Sequence, residues 1–146
     1  MRGMPSRSIQ IPKKLQPWGD LLYELRRLIE YAKKRGEAEG GLYEVVFEGV
    51  EVEGEDDYNE YVHREIPELL RGVFRFLRFG GLRIYHKKDD VSGSEYLVEA
   101  VRGQSSYVFE LDIDYDGGAG EWVLMWVRVV KDAEINKDYL PYYHEV

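Results

Sequence analysis

The chain has 146 residues, 44% of them hydrophobic and 33% charged, with a net charge of −8 at neutral pH. That size and balance fit one folded domain with its own core and exclude a disordered chain. The absence of cysteine excludes disulfides and thiolate metal sites, and an acidic surface argues against coating nucleic acid through the bulk field while leaving room for a local basic patch. No run nears the roughly 20 apolar residues of a membrane span, and the opening MRGMPSRSIQIPKK lacks the apolar stretch of a secretory signal, so a cytoplasmic location is expected. No Thr, two Asn and three Gln beside abundant Glu, Arg, Val and Tyr is the bias of proteins from hot environments, archaea among them. His63, His86 and His144 are spread along the chain, too few for a zinc site unless Asp and Glu supply most ligands. No cofactor is expected; a metal, if used, would be a hard, oxygen-bound ion such as Mg²⁺ or Mn²⁺.

Residues 1–16 carry Pro5 and Pro12, basic residues and no period, and read as an N-terminal arm; 17–146 read as a single domain with a C-terminal tail from about 132. The first helix begins near Pro17 or Asp20, with Leu21, Leu22, Leu25, Leu28, Ile29 and Ala32 at helical spacing and a basic last turn before Gly36. The segment GEAEGG reads as a loop, and a strand follows from Leu42 to about Val52, with a bulge at Gly49. A second, amphipathic helix is predicted over Tyr58–Phe79, kinked or broken at Pro67. Four strands then follow at about Leu82–Lys87, Ser94–Arg102, Ser105–Tyr115 and Glu121–Lys131, joined by KKDDVSG, RGQ and DGGAG, links suited to hairpins. The expected fold is α+β, two helices on one face of a mostly antiparallel sheet of about five strands, in the order α-β-α-β-β-β-β. The last strand is apolar on both faces, with Trp122, Leu124 and Trp126 assigned to one of them. The second sheet face therefore needs a cover, either the sheet curling around its own pocket or another subunit. The tail DYLPYYHEV is too apolar to float and is expected to dock.

Three groups of side chains stand out. On the strand YVFELDIDYD, Glu110, Asp112 and Asp114 share the face opposite Tyr107, Phe109 and Tyr115; carboxylates two apart on a strand lie about 7 Å from each other, a spacing that can hold a divalent cation between them. VFELDIDYD resembles the Asp-x-Asp motif on a strand of primase-type polymerases of the archaeal and eukaryotic kind, and that resemblance implies Asp112 and Asp114 as metal ligands in nucleotidyl transfer. The likeness covers about ten residues. That family also uses a third acid and a downstream histidine on further strands, whereas 30 residues follow Asp116 and His144 in the tail is the one histidine among them. Otherwise the acids form a solvated sheet face. On the second helix Arg64, Arg71, Arg75 and Arg78 fall in one stripe, either a site for phosphates or an acidic protein or a face neutralised by Glu60 and Glu68 at helical spacing. The acid run Glu48–Asp57 of another copy is a further match for it. Trp122 and Trp126, with Tyr139, Tyr142 and Tyr143, suit a self-association surface.

The leading expectation is a non-enzymatic binding or assembly module that self-associates and engages an acidic protein or nucleic acid, with no membrane partner. Divalent-metal-dependent phosphoryl or nucleotidyl transfer centred on Asp112 and Asp114 is the alternative. A small-molecule binder with a curled-sheet pocket, as in the cystatin-like architecture, is the second alternative.

Overall fold

Leu21, Leu22, Leu25, Leu28, Ile29 and Ala32 repeat with the helical period, and in the computed structural model of the protein, which describes residues 10–88 and 94–146, they are the buried face of helix α1, Gly19–Arg35. Lys33, Lys34 and Arg35 occupy its last turn, where the dipole favours cations. Gly36, at φ 93°, stops it and donates to the Ala32 carbonyl. Ahead of α1 a short 3₁₀ segment, Lys13–Trp18, buries Leu15, and Ile11 packs on the core. The described end of the expected arm is thus docked; residues 1–9 and most of the KKDDVSG link lie outside the described residues.

The second helical body starts and ends earlier than its apolar pattern predicts. It comprises α2, Glu55–Glu60, a π-type turn, Tyr61–Glu65, and α3, Ile66–Phe76. Pro67 is the cause. Its ring clashes with the carbonyl four residues back in a regular α-helix, and a widened turn placed just before it relieves that clash without a sharp break. Pro67 also has no N–H to offer the carbonyl of Val62. The Tyr96 hydroxyl donates to that carbonyl at 2.7 Å inside the core, satisfying a buried acceptor the helix leaves over.

Among the described residues the sheet has seven antiparallel strands: β1 Glu37–Gly40, β2 Glu44–Phe47, β3 Gly80–Lys87, β4 Ser94–Arg102, β5 Ser105–Asp116, β6 Glu121–Lys131 and β7 Tyr143–Glu145. Their order is β1-β6-β5-β4-β3-β7, with β2 pairing a second stretch of the β6 edge. The α+β class is as expected, and the count is higher because two segments not read as strands, one in a loop and one in the tail, are recruited by pairing. β1 comes from the supposed loop GEAEGG, held on β6 by the Glu37–Arg128 ion pair at 2.7 Å, and β7 comes from the tail, paired to β3. The strand expected over Leu42–Val52 is only β2, and its irregularity lies between Val45 and Phe47 rather than at Gly49. The 48–54 stretch is pinned instead by Tyr115, whose hydroxyl donates to the Val50 carbonyl at 2.7 Å, and by the Val50 amide donating to the Gly120 carbonyl at 2.9 Å.

The doubly apolar β6 has a geometric explanation. A register shift against β5 falls between Asp112 and Ile113, which oppose Trp126 and Leu124 respectively. Met125 is therefore an extra residue, and the side-chain alternation changes phase across it. Trp122 and Leu124 point into the core before the bulge, Val127 and Val129 after it, and all four are buried. Trp126 falls on the opposite face. The expectation that Trp122 and Trp126 share a face is corrected: a one-residue bulge reverses the alternation on which it rested.

α1 and α3 cover the inner face over Tyr107, Phe109, Leu111 and Ile113. The outer face is covered in part by the chain itself. Because β6 and β7 lie on opposite sides of the sheet, the segment from Asp132 to Pro141 must cross it, and the Ile135 amide donates to Glu99 on the way. Leu97 and Val108, outer-face residues, are 5% and 8% exposed. Among the described residues no helix is long and apolar enough to cross a membrane.

Candidate functional site

The crossing tail and the sheet leave a cleft of about 540 Å³ between them. Trp126 from β6, Leu97 from β4 and Tyr139, Tyr142 and Tyr143 from the tail line it, together with Lys87, Glu95, Glu110 and Asp112. Strand alternation puts Glu110, Asp112 and Trp126 on this face, and the bulge at Met125 delivers the indole there. Rings with acids among them form a surface suited to a planar cation. Four of the five residues expected at a self-association surface meet here. The fifth, Trp122, does not: it is 0% exposed, within 5.1–5.6 Å of Tyr58, Tyr61 and Tyr115 centroid to centroid, and has no surface to offer a partner.

The acid ladder is distributed rather than convergent. Glu110 lies 3.6 Å from Arg128, which also binds Glu37. Asp112 lies opposite Glu95 on β4, and Glu95 pairs with Lys87 at 3.2 Å. Asp114 stands beyond the cleft, one carboxylate oxygen buried without a hydrogen-bond partner. Glu110, Asp112 and Asp114 do not bring their oxygens together as a ligand group; among the described residues the group of three metal-ligating side chains that does so is made of histidines.

The arginine stripe divides. Arg64 is bound by Glu60 one turn back and lies 3.0 Å from Glu65, whereas Arg71 donates to the Val146 carbonyl, fastening the tail. Arg75 and Arg78 are exposed near the end of α3. Arg78, at φ 71°, lines a small hollow with Arg26 of α1 and Arg102 of β4. That hollow continues a basic, aromatic face of α1, where Tyr23, Arg26, Arg27, Glu30, Tyr31, Lys34 and Arg35 lie at helical spacing. The basic end of α1, which its position in the chain marks first as compensation for the helix dipole, thus also lines this face. The signal for this face is present in the apolar pattern itself, because fixing the buried stripe also fixes the exposed one.

A histidine cluster is the second feature that chain order conceals. His63 comes from the π-type turn, His86 from β3 and His144 from β7, and their ring nitrogens lie within 4.8 Å of one another. His86 and His144 are direct register partners across the β3–β7 ladder, and His63 Nε2 lies 3.3 Å from His144 Nε2. His86 is 6% exposed and neither of its ring nitrogens has a hydrogen-bond partner. Burial, with His63 and His144 as neighbours, holds its pKa down at about 4; burial also lowers that of His144, His63 and Lys88 adding to the effect. All three rings are thus kept in reach of one another with His86 neutral at physiological pH. Tyr96 positions the group: its ring lies 5.0 Å from that of His86, and its hydroxyl holds the carbonyl beside His63.

Tyr96→Phe is expected to cost about 1–3 kcal/mol, the penalty for leaving the buried Val62 carbonyl without a donor, measured by urea unfolding. Amide exchange of Ile66 and its neighbours should speed up with it. A loss below a few tenths of a kcal/mol would mean that water or a helix shift replaces the hydroxyl.

Comparison with known protein families, with characterised proteins and with solved structures returns no match to this chain.

Proposed function

We propose that the chain is a non-catalytic binding module that assembles with itself, the outer-sheet cleft of one copy receiving the basic, aromatic face of α1 from another. The observation that supports this is that one chain carries both halves of a complementary pair. The cleft presents Trp126 and tail tyrosines around three carboxylates with a single lysine. The helix presents Tyr23 and Tyr31, 68% and 44% exposed, among Arg26, Arg27, Lys34 and Arg35. Guanidinium groups stack on rings and fork onto carboxylates, so this pairing uses the chemistry for which interfaces favour Arg, Tyr and Trp. In a chain of net charge −8 such a basic face is the local exception, and another copy is itself an acidic partner.

The contact is heterologous. A pair leaves one copy's cleft and the other copy's helix face unused, so assembly proceeds to a ring or an open chain according to the rotation between neighbours. Light scattering over a range of concentrations should give a mass that climbs above the monomer and falls as salt screens the charges. Trp126→Ala should weaken association at least about tenfold, as truncation of a central aromatic anchor does. A strictly monomeric protein at the highest soluble concentration and low salt sinks the proposal.

A further inference from the structure

We propose that His63, His86 and His144 form a binding site for a divalent transition-metal ion of the zinc class, and that the ion clasps β7 to β3 and to the turn between α2 and α3. The inference does not depend on the assembly proposed above, because it rests on different residues on the inner side of the sheet edge.

Three observations carry it. The first is convergence: a helix turn and two strands, remote in sequence, each bring one imidazole to a common point. Nitrogens bound at 2.0–2.1 Å to a tetrahedral ion stand about 3.3 Å apart, and the His63–His144 nitrogens are 3.3 Å apart. The second is the state of His86. A buried imidazole normally has a partner for each ring nitrogen, yet here both lack one, and an ion among the three rings takes up the single lone pair that a neutral imidazole offers, without needing a proton. The third is the donor set. Three imidazole nitrogens, with no carboxylate or thiolate within the cluster, suit Zn²⁺, Co²⁺, Ni²⁺ or Cu²⁺ and are poor ligands for Mg²⁺ or Ca²⁺, which favour oxygen. His63 is exposed, so the coordination position left by the three rings opens towards solvent and takes a water.

The site also accounts for the placement of the tail. β7 is a strand of three residues, short for a sheet edge, and beyond its ladder the tail is held by individual hydrogen bonds such as those from Arg71 to Val146 and from Lys88 to Pro141. A metal bond through His144 ties that strand to β3 and to the helical layer, the arrangement that metal clips use to close long loops.

The test uses the full chain stripped with EDTA and titrated with ZnCl₂, with CoCl₂ as the spectroscopic probe. The expected result is saturable uptake of one ion per chain, a visible d–d spectrum of a nitrogen-bound, low-coordinate Co²⁺, a raised melting temperature and slower exchange of the His144 and Val146 amides, which face β3. His63→Ala and His144→Ala, at an exposed and a half-buried position, should each weaken binding by at least about 100-fold, since each removes one of three ligands. These two variants suffice for the test, and His86→Ala, which leaves a core void, is not required; MgCl₂ should neither bind nor stabilise. Absence of saturable Zn²⁺ binding by the wild type at micromolar concentrations overturns the proposal. Undiminished binding in both His63→Ala and His144→Ala overturns it equally, because the ion would then sit elsewhere.

Discussion

Trp122→Ala is expected to destabilise the protein by about 3–5 kcal/mol, the range for emptying a buried large aromatic, and to lower its melting temperature by roughly 10–20 °C for a chain of this size. The indole is 0% exposed and is ringed by Tyr58, Tyr61 and Tyr115, with Phe47 and Trp18 continuing the aromatic layer edge to face behind Tyr61. Its N–H has no partner, so the loss is one of packing, and Trp122→Phe, which keeps a ring and removes the unpaired donor, should cost only about 1–2 kcal/mol. Trp126→Ala supplies the contrast. Turned to the outer face by the Met125 bulge, Trp126 should matter by less than about 1 kcal/mol to folding, as partly exposed positions do. Denaturant unfolding of the three variants thus tests the bulge directly. Equal losses at Trp122 and Trp126 would mean that the alternation runs unbroken and the two rings share a face.

The second large effect concerns pH in the metal-free protein. His86 has its folded pKa lowered from 6.5 to about 4, so the unfolded chain takes up a proton at a pH where the folded one refuses it. Stability from this group is fully present above about pH 6.5 and is lost as pH falls towards about 4, in total about 3 kcal/mol at 1.36 kcal/mol per pKa unit. His144 acts in the same direction, and the groups facing His86 are His63, His144 and the Tyr96 ring. Urea midpoints between pH 7.5 and 4, compared for wild type and His86→Gln, isolate the contribution from carboxylates that titrate near the lower end. The wild type should lose the larger share of stability over that interval. Parallel pH profiles would show that His86 is protonated in the fold with little penalty.

Much of the architecture was legible because burial imposes simple periods. The inner face of α1 and the inner face of β5 follow from the spacing of apolar residues, and the apolar tail docks as expected, through β7 on β3, although Tyr139 and Tyr142 stay 52% and 65% exposed. The departures share a cause, which is that pairing and sterics override the local pattern. β1 is a strand because the β6 edge accepts EAEG, not because EAEG favours one. The π-type turn answers to the bulk of Pro67, and the Met125 bulge makes one inner face of β6 out of halves of what read as two apolar faces. The histidine cluster was the least legible part, since its members meet only through the helix turn and the β3–β7 ladder. One local sign existed: Leu82, Ile84 and His86 alternate onto a single face of β3, which places an ionisable ring among core residues and invites the question of what it binds.

The cleft and the α1 face make a claim that no single-variant loss can establish as well as a complementation can. Trp126→Ala disables the cleft while leaving the helix face, and the double variant Arg26→Glu, Lys34→Glu disables the helix face while leaving the cleft. Neither should associate alone. Light scattering on an equimolar mixture of the two tests the heterologous contact, because one intact cleft then meets one intact helix and growth stops at a pair. The predicted result is a dimer mass for the mixture and monomer masses for the separate variants; a mixture that stays at the monomer mass, or variants that each still assemble, would contradict it.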